Sequence, residues 1–401
     1  MIREIVNMKS EDVKDLDEKY FFHVFKRYDL VADKGEGVYL YDKDGKKYLD
    51  FVAGIAVNLF GYNYPKLTAK IKEQAEKLVH CSNYFYTEEQ AKLAEKLCNL
   101  SCFDKVFFGN SGAEANEGAI KLARKWGVSK SPLKDKIISC NNSFHGRTLA
   151  ALTATGQPKF HQGLGALPPD FVYVPYNDIE VLESFMDDNV AAVMLEPIQG
   201  EGGVVVPDKG YLKKVRELCD KHDCLMIVDE IQTGVARTGK MFAYEHEEIK
   251  PDIMTLAKAL GGGLPISAIL ATDKIAKAFN YGDHGSTFGG NPFVCGVALK
   301  VLELIEEENI LNNVNEVSKY FIESLNELTA SEKILKVRGK GLMLGAELNE
   351  GIDGPALIKK CLANGLHINL TAGKVLRFLP PLNITKSHVD EMIEKLKKSL
   401  S

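Results

Sequence analysis

Hydrophobic and polar positions change rhythm twice along this chain. The first forty or so residues read as a charged helix followed by short strands. Within them a charged segment with helical spacing leads into two short runs, Gly37–Tyr41 and Lys46–Phe51, about the turn Lys43-Asp44-Gly45, which predicts a β-hairpin. From Val106 onward, brief β-branched or apolar runs alternate with amphipathic stretches. The runs are Val106–Gly109, Lys136–Ser139, Phe171–Val174, Ala191–Leu195, Leu225–Val228, Ile253–Leu256 and Ser267–Ala271. That alternation predicts an α/β unit with a mostly parallel, seven-stranded sheet. After Gly296 the rhythm changes again. Val297–Leu328 reads as one long helical region, and Lys336–Leu348 as strands around Gly339 and Gly341. A last helix is expected from the capping-box spacing Ser387-x-x-Asp390, with Val389, Met392, Ile393 and Leu396 on one face. The expected organisation is a large α/β domain over 54–292 and a smaller α+β domain over 293–401, joined by an N-terminal segment, 1–53.

The 401-residue length fits two or three units at about 100–200 residues each. Hydrophobic residues at 45% and charged residues at 26% describe a globular chain. No apolar run approaches the roughly 18 residues of a membrane helix, so no membrane association is expected. The formal charge of −5 is well mixed, which argues against a duplex nucleic-acid partner. Met1–Glu18 is acidic and lacks the apolar centre of a secretory leader. The eight cysteines therefore read as reduced thiols, and the expected location is cytoplasmic. Cys98/Cys102 and Cys219/Cys224 lack a second ligand pair, and Lys250 stands where a zincin motif opened by His246-Glu247 needs its second His. No metal is expected.

Ligands of parallel sheets sit beyond the carboxyl ends of the strands, which directs attention to the residues after each run. Leu225–Val228 ends in Asp229-Glu230, and Gly234–Lys240 fits G-x4-G-K. A P-loop nucleotide site is one reading of the two together. Against it, Met241 replaces the magnesium-reaching Ser or Thr, and the loop follows the acidic strand instead of preceding it. The run Ile253–Leu256 leads into Ala257-Lys258 and then the glycines 261–263, where a bulky group could approach the backbone. Lysine forms Schiff bases with aldehydes, and an acid beside a pyridinium nitrogen is what pyridoxal phosphate requires, so Asp229 and Lys258 make a candidate pair. Asn110–Glu114, between a strand and a helix, offers backbone amides and a helix N-terminus to a phosphate. Ser111-x-x-Glu114 is equally a capping box, and both uses are compatible.

Several blocks carry a wider likeness: Gly54–Asn58, Asn110–Asn116, Ser143-Phe-His-Gly-Arg147, Glu196–Gly203, Asp229–Gly234, Ala257–Gly263, His284–Pro292 and Leu376–Leu382. In that order they make the chain resemble the class-III pyridoxal-phosphate aminotransferases over nearly its whole length. The resemblance implies the fold-type-I architecture of PLP-dependent transferases, with 54–292 as the PLP-binding domain. It also implies a homodimer with shared active sites. Lys258 would be the Schiff-base lysine and proton shuttle, and Asp229 the partner of the ring nitrogen. Gln232 would bond the ring hydroxyl and Phe144 would stack on the ring, although on residue type alone Phe144 reads as a core aromatic. Ser111, Gly112 and Ala113 would hold the phosphate, and Thr287 would reach the phosphate of the neighbouring subunit.

For substrates, the resemblance implies that Arg377 takes the α-carboxylate of glutamate and Arg147 a substrate carboxylate, with Ser286 also at the substrate site. Glu201 would mask Arg377 when an ω-amino donor binds. The implied reaction moves the terminal amino group of N2-acetylornithine to 2-oxoglutarate, yielding glutamate by a ping-pong cycle within arginine biosynthesis. Ornithine, succinylornithine and 4-aminobutyrate are the alternative donors. Outside the family stand a nucleotide-binding protein and a catalytically idle dimeric scaffold. Gly54 falls where ornithine-specific members tend to carry a bulky aromatic, and a glycine there leaves room for an acylated amine. Three positions depart from the family pattern: Phe25, Tyr62 and Tyr64.

Overall fold

The computed structural model describes residues 8–401; the first seven residues of the Met1–Glu18 stretch lie outside them. The seven apolar runs are all strands: β4 (Lys105–Gly109), β5 (Lys136–Cys140), β6 (Phe171–Val174), β7 (Val190–Leu195), β8 (Leu225–Asp229), β9 (Ile253–Leu256) and β10 (Ser267–Ala271). They form one sheet in the order β4-β10-β9-β8-β7-β5-β6. β10 runs antiparallel to both its neighbours, β4 and β9, and the pairings from β9 to β6 are all parallel.

Alternate residues along a strand face opposite sides of a sheet, and the core divides accordingly. Val193, Leu195, Met226 and Val228 join one large apolar cluster. Ala192, Met194, Leu225 and Ile227 join a second, which packs against Ala115, Ala119, Leu122 and Trp126 of the helix Gly112–Lys130. That helix lies close on the sheet because position 127 is glycine: a Cβ there would fall 2.0 Å from the Lys134 carbonyl oxygen.

The N-terminal region forms β1 (Ala32–Glu36), β2 (Tyr39–Asp42) and β3 (Lys47–Asp50), and β3 pairs in parallel with β13 (Leu366–His367). A third sheet has the order β11-β12-β15-β14, from β11 (Ile334–Lys340), β12 (Met343–Leu348), β14 (Asn369–Thr371) and β15 (Val375–Phe378).

Three sequence expectations need correction. β1 was not anticipated; its residues, Ala-Asp-Lys-Gly-Glu, are polar and largely exposed at a sheet edge. The single helical region over Val297–Leu328 is two helices, Pro292–Glu307 and Ile310–Glu327, broken where Asn309 adopts φ +51°. The last helix starts at Lys386, with Thr385 as its N-cap in place of Ser387; the Thr385 N–H donates to His388 Nδ1 at 3.0 Å. Its predicted apolar face, Val389, Met392, Ile393 and Leu396, is buried.

Residues 53–56 form a left-handed turn, with φ of +50°, +66°, +66° and +62° at Ala53, Gly54, Ile55 and Ala56. Such a conformation costs non-glycine residues roughly 1–2 kcal/mol each. Asp50, at the end of β3, anchors the turn by accepting the N–H groups of Val52 (2.9 Å) and Ala53 (3.1 Å). It also accepts Tyr62 Oη–H at 2.6 Å and His367 Nδ1–H at 2.9 Å. The Tyr62 departure is thereby absorbed into the scaffold, and Tyr64 stacks on Phe60 with centroids 5.0 Å apart.

Candidate active site

The carboxyl ends of β4, β5, β7, β8 and β9 open on a cavity of about 440 Å³, a volume in the range of small-molecule sites. Its lining includes Ser111, Gly112, Ala113, Phe144, Arg147, Glu196, Glu201, Asp229, Gln232 and Lys258. Side chains from separate strand ends thus converge because a parallel sheet presents all its carboxyl ends on one edge.

Asp229 is buried at the tip of β8. Its Oδ2 accepts Asn116 Nδ2–H at 2.8 Å and His145 Nδ1–H at 2.8 Å, and its Oδ1 accepts the Ile231 N–H at 3.0 Å. Asn116 is fixed in turn: Thr255 Oγ1 donates to its Oδ1 at 2.8 Å, and its Nδ2 reaches the His145 carbonyl at 2.6 Å. His145 Nε2 is buried without a hydrogen-bond partner.

Lys258 follows β9 and holds φ at +43°, a strained value for a lysine. Among the described residues its Nζ makes no hydrogen bond or ion pair, so the amine is not committed to a fixed partner. Burial lowers its pKa below the ordinary lysine value; the Glu201 and Asp229 carboxylates oppose that shift and Arg377 adds to it.

At the helix Gly112–Lys130, Ser111 Oγ accepts the Glu114 N–H at 3.2 Å. The capping box is therefore half formed, and the Glu114 carboxylate turns to the Asn110 N–H instead, at 2.8 Å. The Gly112 and Ala113 amides are the first of the helix and line the cavity. A Cβ at position 112 would come 2.8 Å from Ile231 Cδ1.

Glu196 joins two loops, accepting the Phe144 N–H and the Gly200 N–H, each at 3.1 Å. Burial pushes its carboxyl up to about 7. At the far side of the cavity Arg377, on β15, is fully buried and pairs with Glu201. It also donates to Gln232 Oε1 at 3.3 Å and to Asn369 Oδ1 at 3.3 Å. Burial opposes ionisation of Glu201, but the Arg377 charge outweighs that penalty and keeps its pKa below the usual carboxylate value.

Arg377 lies behind the lining residues Glu201 and Gln232, and other expected residues stand farther off. Ser286 and Thr287 do not line this cavity; Ser286 Oγ accepts Asn110 Nδ2–H at 3.0 Å, and Thr287 is exposed. Gly54 is exposed and does not line it either, while Val57 does. Phe25 is exposed. The G-x4-G-K segment is a buried turn that leads into a short 3-10 turn, Ala243–Glu247, with no helix N-terminus to receive a phosphate. The nucleotide-site reading is overturned. Asn116, His145 and Glu196 fall inside the sequence motifs, but residue type gives them no role; only their contacts reveal one.

The family described as Aminotransferase class-III matches residues 23–400. An acetylornithine aminotransferase of Methanocaldococcus jannaschii is 53% identical over 392 residues, covering 97% of this chain and 98% of its own. Among solved structures, an acetylornithine aminotransferase of Elizabethkingia anophelis superposes with TM-score 0.87 at 39% identity, covering 98% and 99% of the two chains. An ornithine aminotransferase of Toxoplasma gondii, described with partial occupancy of PLP at its active site, superposes with TM-score 0.94 at 35% identity, covering 99% and 95%.

Proposed function

We propose, from the premise that this chain belongs to the class-III aminotransferases, that it is a PLP-dependent acetylornithine aminotransferase exchanging an amino group between N2-acetylornithine and 2-oxoglutarate. The observation that carries the reading is a desolvated lysine, a buried carboxylate and a helix N-terminus facing one cavity. That donor set fits pyridoxal phosphate. The amides at Gly112 and Ala113, with Ser111, suit its phosphate, Asp229 suits a protonated ring nitrogen, and glycine at 112 keeps the cradle open. When bound, the cofactor supplies an aldehyde for Schiff-base exchange and a ring that accepts the electron pair released at the substrate carbon.

The protein's own part follows from the geometry. Burial favours the neutral Lys258 amine, the form that attacks an aldehyde and takes up a proton. Asn116, His145 and the Ile231 amide fix the Asp229 carboxylate, which favours the protonated ring nitrogen. Phe144 and Gln232, which line the cavity, would cover one face of the cofactor ring and bond its hydroxyl. Arg147 and Arg377 seat carboxylates, and Glu201 neutralises Arg377 while the donor's methylenes lie beside it.

The reading includes a homodimer in which Thr287 and Ser286 serve the neighbouring site. Exposed Tyr84, Phe85, Tyr86 and Phe288, on the same side as Thr287, support an interface there. It also includes a cytoplasmic location, where the eight unpaired cysteines stay reduced. The deciding experiment follows the cofactor's visible band in single half-reactions with N2-acetylornithine, ornithine, succinylornithine and 4-aminobutyrate. The expected order puts N2-acetylornithine first in second-order rate. A faster reaction with free ornithine reassigns the donor, and no visible band removes the cofactor.

A further inference from the structure

Arg147 differs from Arg377, buried behind the cavity lining, in what holds it. Its side chain is exposed at the cavity rim, and among the described residues no hydrogen bond or ion pair is recorded for it. What it does touch is aromatic: its Cζ lies 3.8 Å from the Phe160 ring centroid and 5.4 Å from that of Phe144. The two rings meet edge to face, with centroids 6.2 Å apart and planes at 85°. Phe160 belongs to the short 3-10 turn Pro158–Phe160 and is not among the residues lining the cavity.

A guanidinium stacked on a ring uses its flat face, so its in-plane N–H donors stay free for a bidentate carboxylate. A carboxylate partner such as Glu201 occupies those donors and must be displaced before substrate can bind. The attraction of a cation to a ring face is worth about 2- to 30-fold in an equilibrium, larger where water is excluded. It restrains a side chain that would otherwise sample many rotamers.

We propose that Phe160 is a positioning residue for donor recognition: its ring carries the Arg147 guanidinium and presents the free donors to the α-carboxylate of the amino donor. This rests on the aminotransferase reading above and on a carboxylate role for Arg147. Phe144 lines the cavity and would cover the cofactor ring, whereas Phe160 lies outside the lining and holds Arg147 at the shorter distance. Lys159 Nζ, 4.8 Å from the same centroid, adds positive charge beside the shelf.

The test uses holoenzyme and two donors that differ only in the carboxylate, N2-acetylornithine and N-acetylputrescine. The readout is the ratio of their kcat/KM values in wild type, Phe160→Leu, Phe160→Tyr and Arg147→Ala, with the visible band and melting temperature recorded for each. Phe160→Leu keeps apolar bulk and loses the ring. It should lower the preference for the carboxylated donor about 3- to 10-fold, chiefly through KM, while Phe160→Tyr retains it. An unchanged preference in Phe160→Leu overturns the proposal, as does an equal loss with both donors, which marks a merely structural residue. A preference that survives Arg147→Ala shows instead that the carboxylate role of Arg147 has failed. Loss of the visible band in wild type marks failure of the cofactor reading itself.

Discussion

The two ends of the cavity hold their charges in opposite ways. At the cofactor end, Asp229 is surrounded by an amide, an imidazole and a backbone N–H, and the amide of Asn116 is itself held by Thr255 of β9. At the substrate end, Arg377 is neutralised chiefly by Glu201, whose side chain lies in the loop after β7 and retains 32% exposure against 1% for the arginine. A charge used in every half-reaction is built in with permanent hydrogen-bond donors. A charge used in only one half-reaction is covered by a partner that can leave. Breaking a buried pair by removing one member costs more than the pair contributes, because the other charge is stranded. The same principle makes Glu201 a credible gate and makes Asp229 a poor one.

Substitutions at the fixed end should have the largest effects. Lys258→Ala removes both the nucleophilic amine and the proton carrier, and should lower turnover by more than the roughly 10²–10⁴-fold of general acid–base catalysis alone. Near-normal steady-state rates would dissolve the assignment. Asp229→Ala comes next: proton removal from the substrate carbon should slow by about 10²-fold or more, with Schiff-base exchange slowed far less. Stopped-flow traces showing equal slowing of both steps would make Asp229 structural.

At the exchangeable end the effects should be smaller and opposite in sign between the half-reactions. Arg377→Ala should impair the glutamate half by about 2–5 kcal/mol, the scale for truncating one partner of a buried charge pair. Glu201→Ala should improve glutamate use and impair the N2-acetylornithine half. Single-turnover rates for each half decide this, and equal depression of both halves by both variants would remove the gate.

The smallest effect concerns Glu196, between the two ends. Its folded pKa of about 7 stands above the usual 4.5, so the folded state binds the extra proton as pH rises from 4.5 to 7. The associated stability is complete below pH 4.5 and is lost as pH rises through 7. Glu196→Gln cannot ionise, although it can accept only one of the two amides. Its melting temperature relative to wild type should therefore rise between pH 5 and pH 8, and a pH-independent difference would refute the shifted carboxyl.

Much of this was legible in the sequence, for physical reasons. The seven strands of the large sheet are short, apolar and separated by amphipathic helices or turns, so pattern alone found them. β1 escaped because an exposed edge strand of Ala-Asp-Lys-Gly-Glu has no apolar face to betray it. The break at Asn309 escaped because apolar spacing continues on both sides of it. Residue types announced Lys258 and Asp229, and the likeness of the motif blocks announced Arg147 and Arg377. Their keepers, Asn116, His145 and Phe160, stay silent in a linear reading, since each acts on a residue distant in sequence or sits in a turn where aromatics carry no pattern.

The pairing of β3 with β13 gives the molecule a calendar. Synthesis proceeds from the N-terminus, and earlier units fold first. The cradle at 111–113, then Asp229, then Lys258 all leave the ribosome before Leu366–His367 can join β3 and before Arg377 exists at all. In the nascent protein the strand carrying Tyr48 and Leu49 waits with one edge open, and Glu201 waits with no arginine to neutralise. The part of the site that grips a cofactor is thus born well before the part that selects a dicarboxylate, and the final strands close both the sheet and the chemistry in one late event.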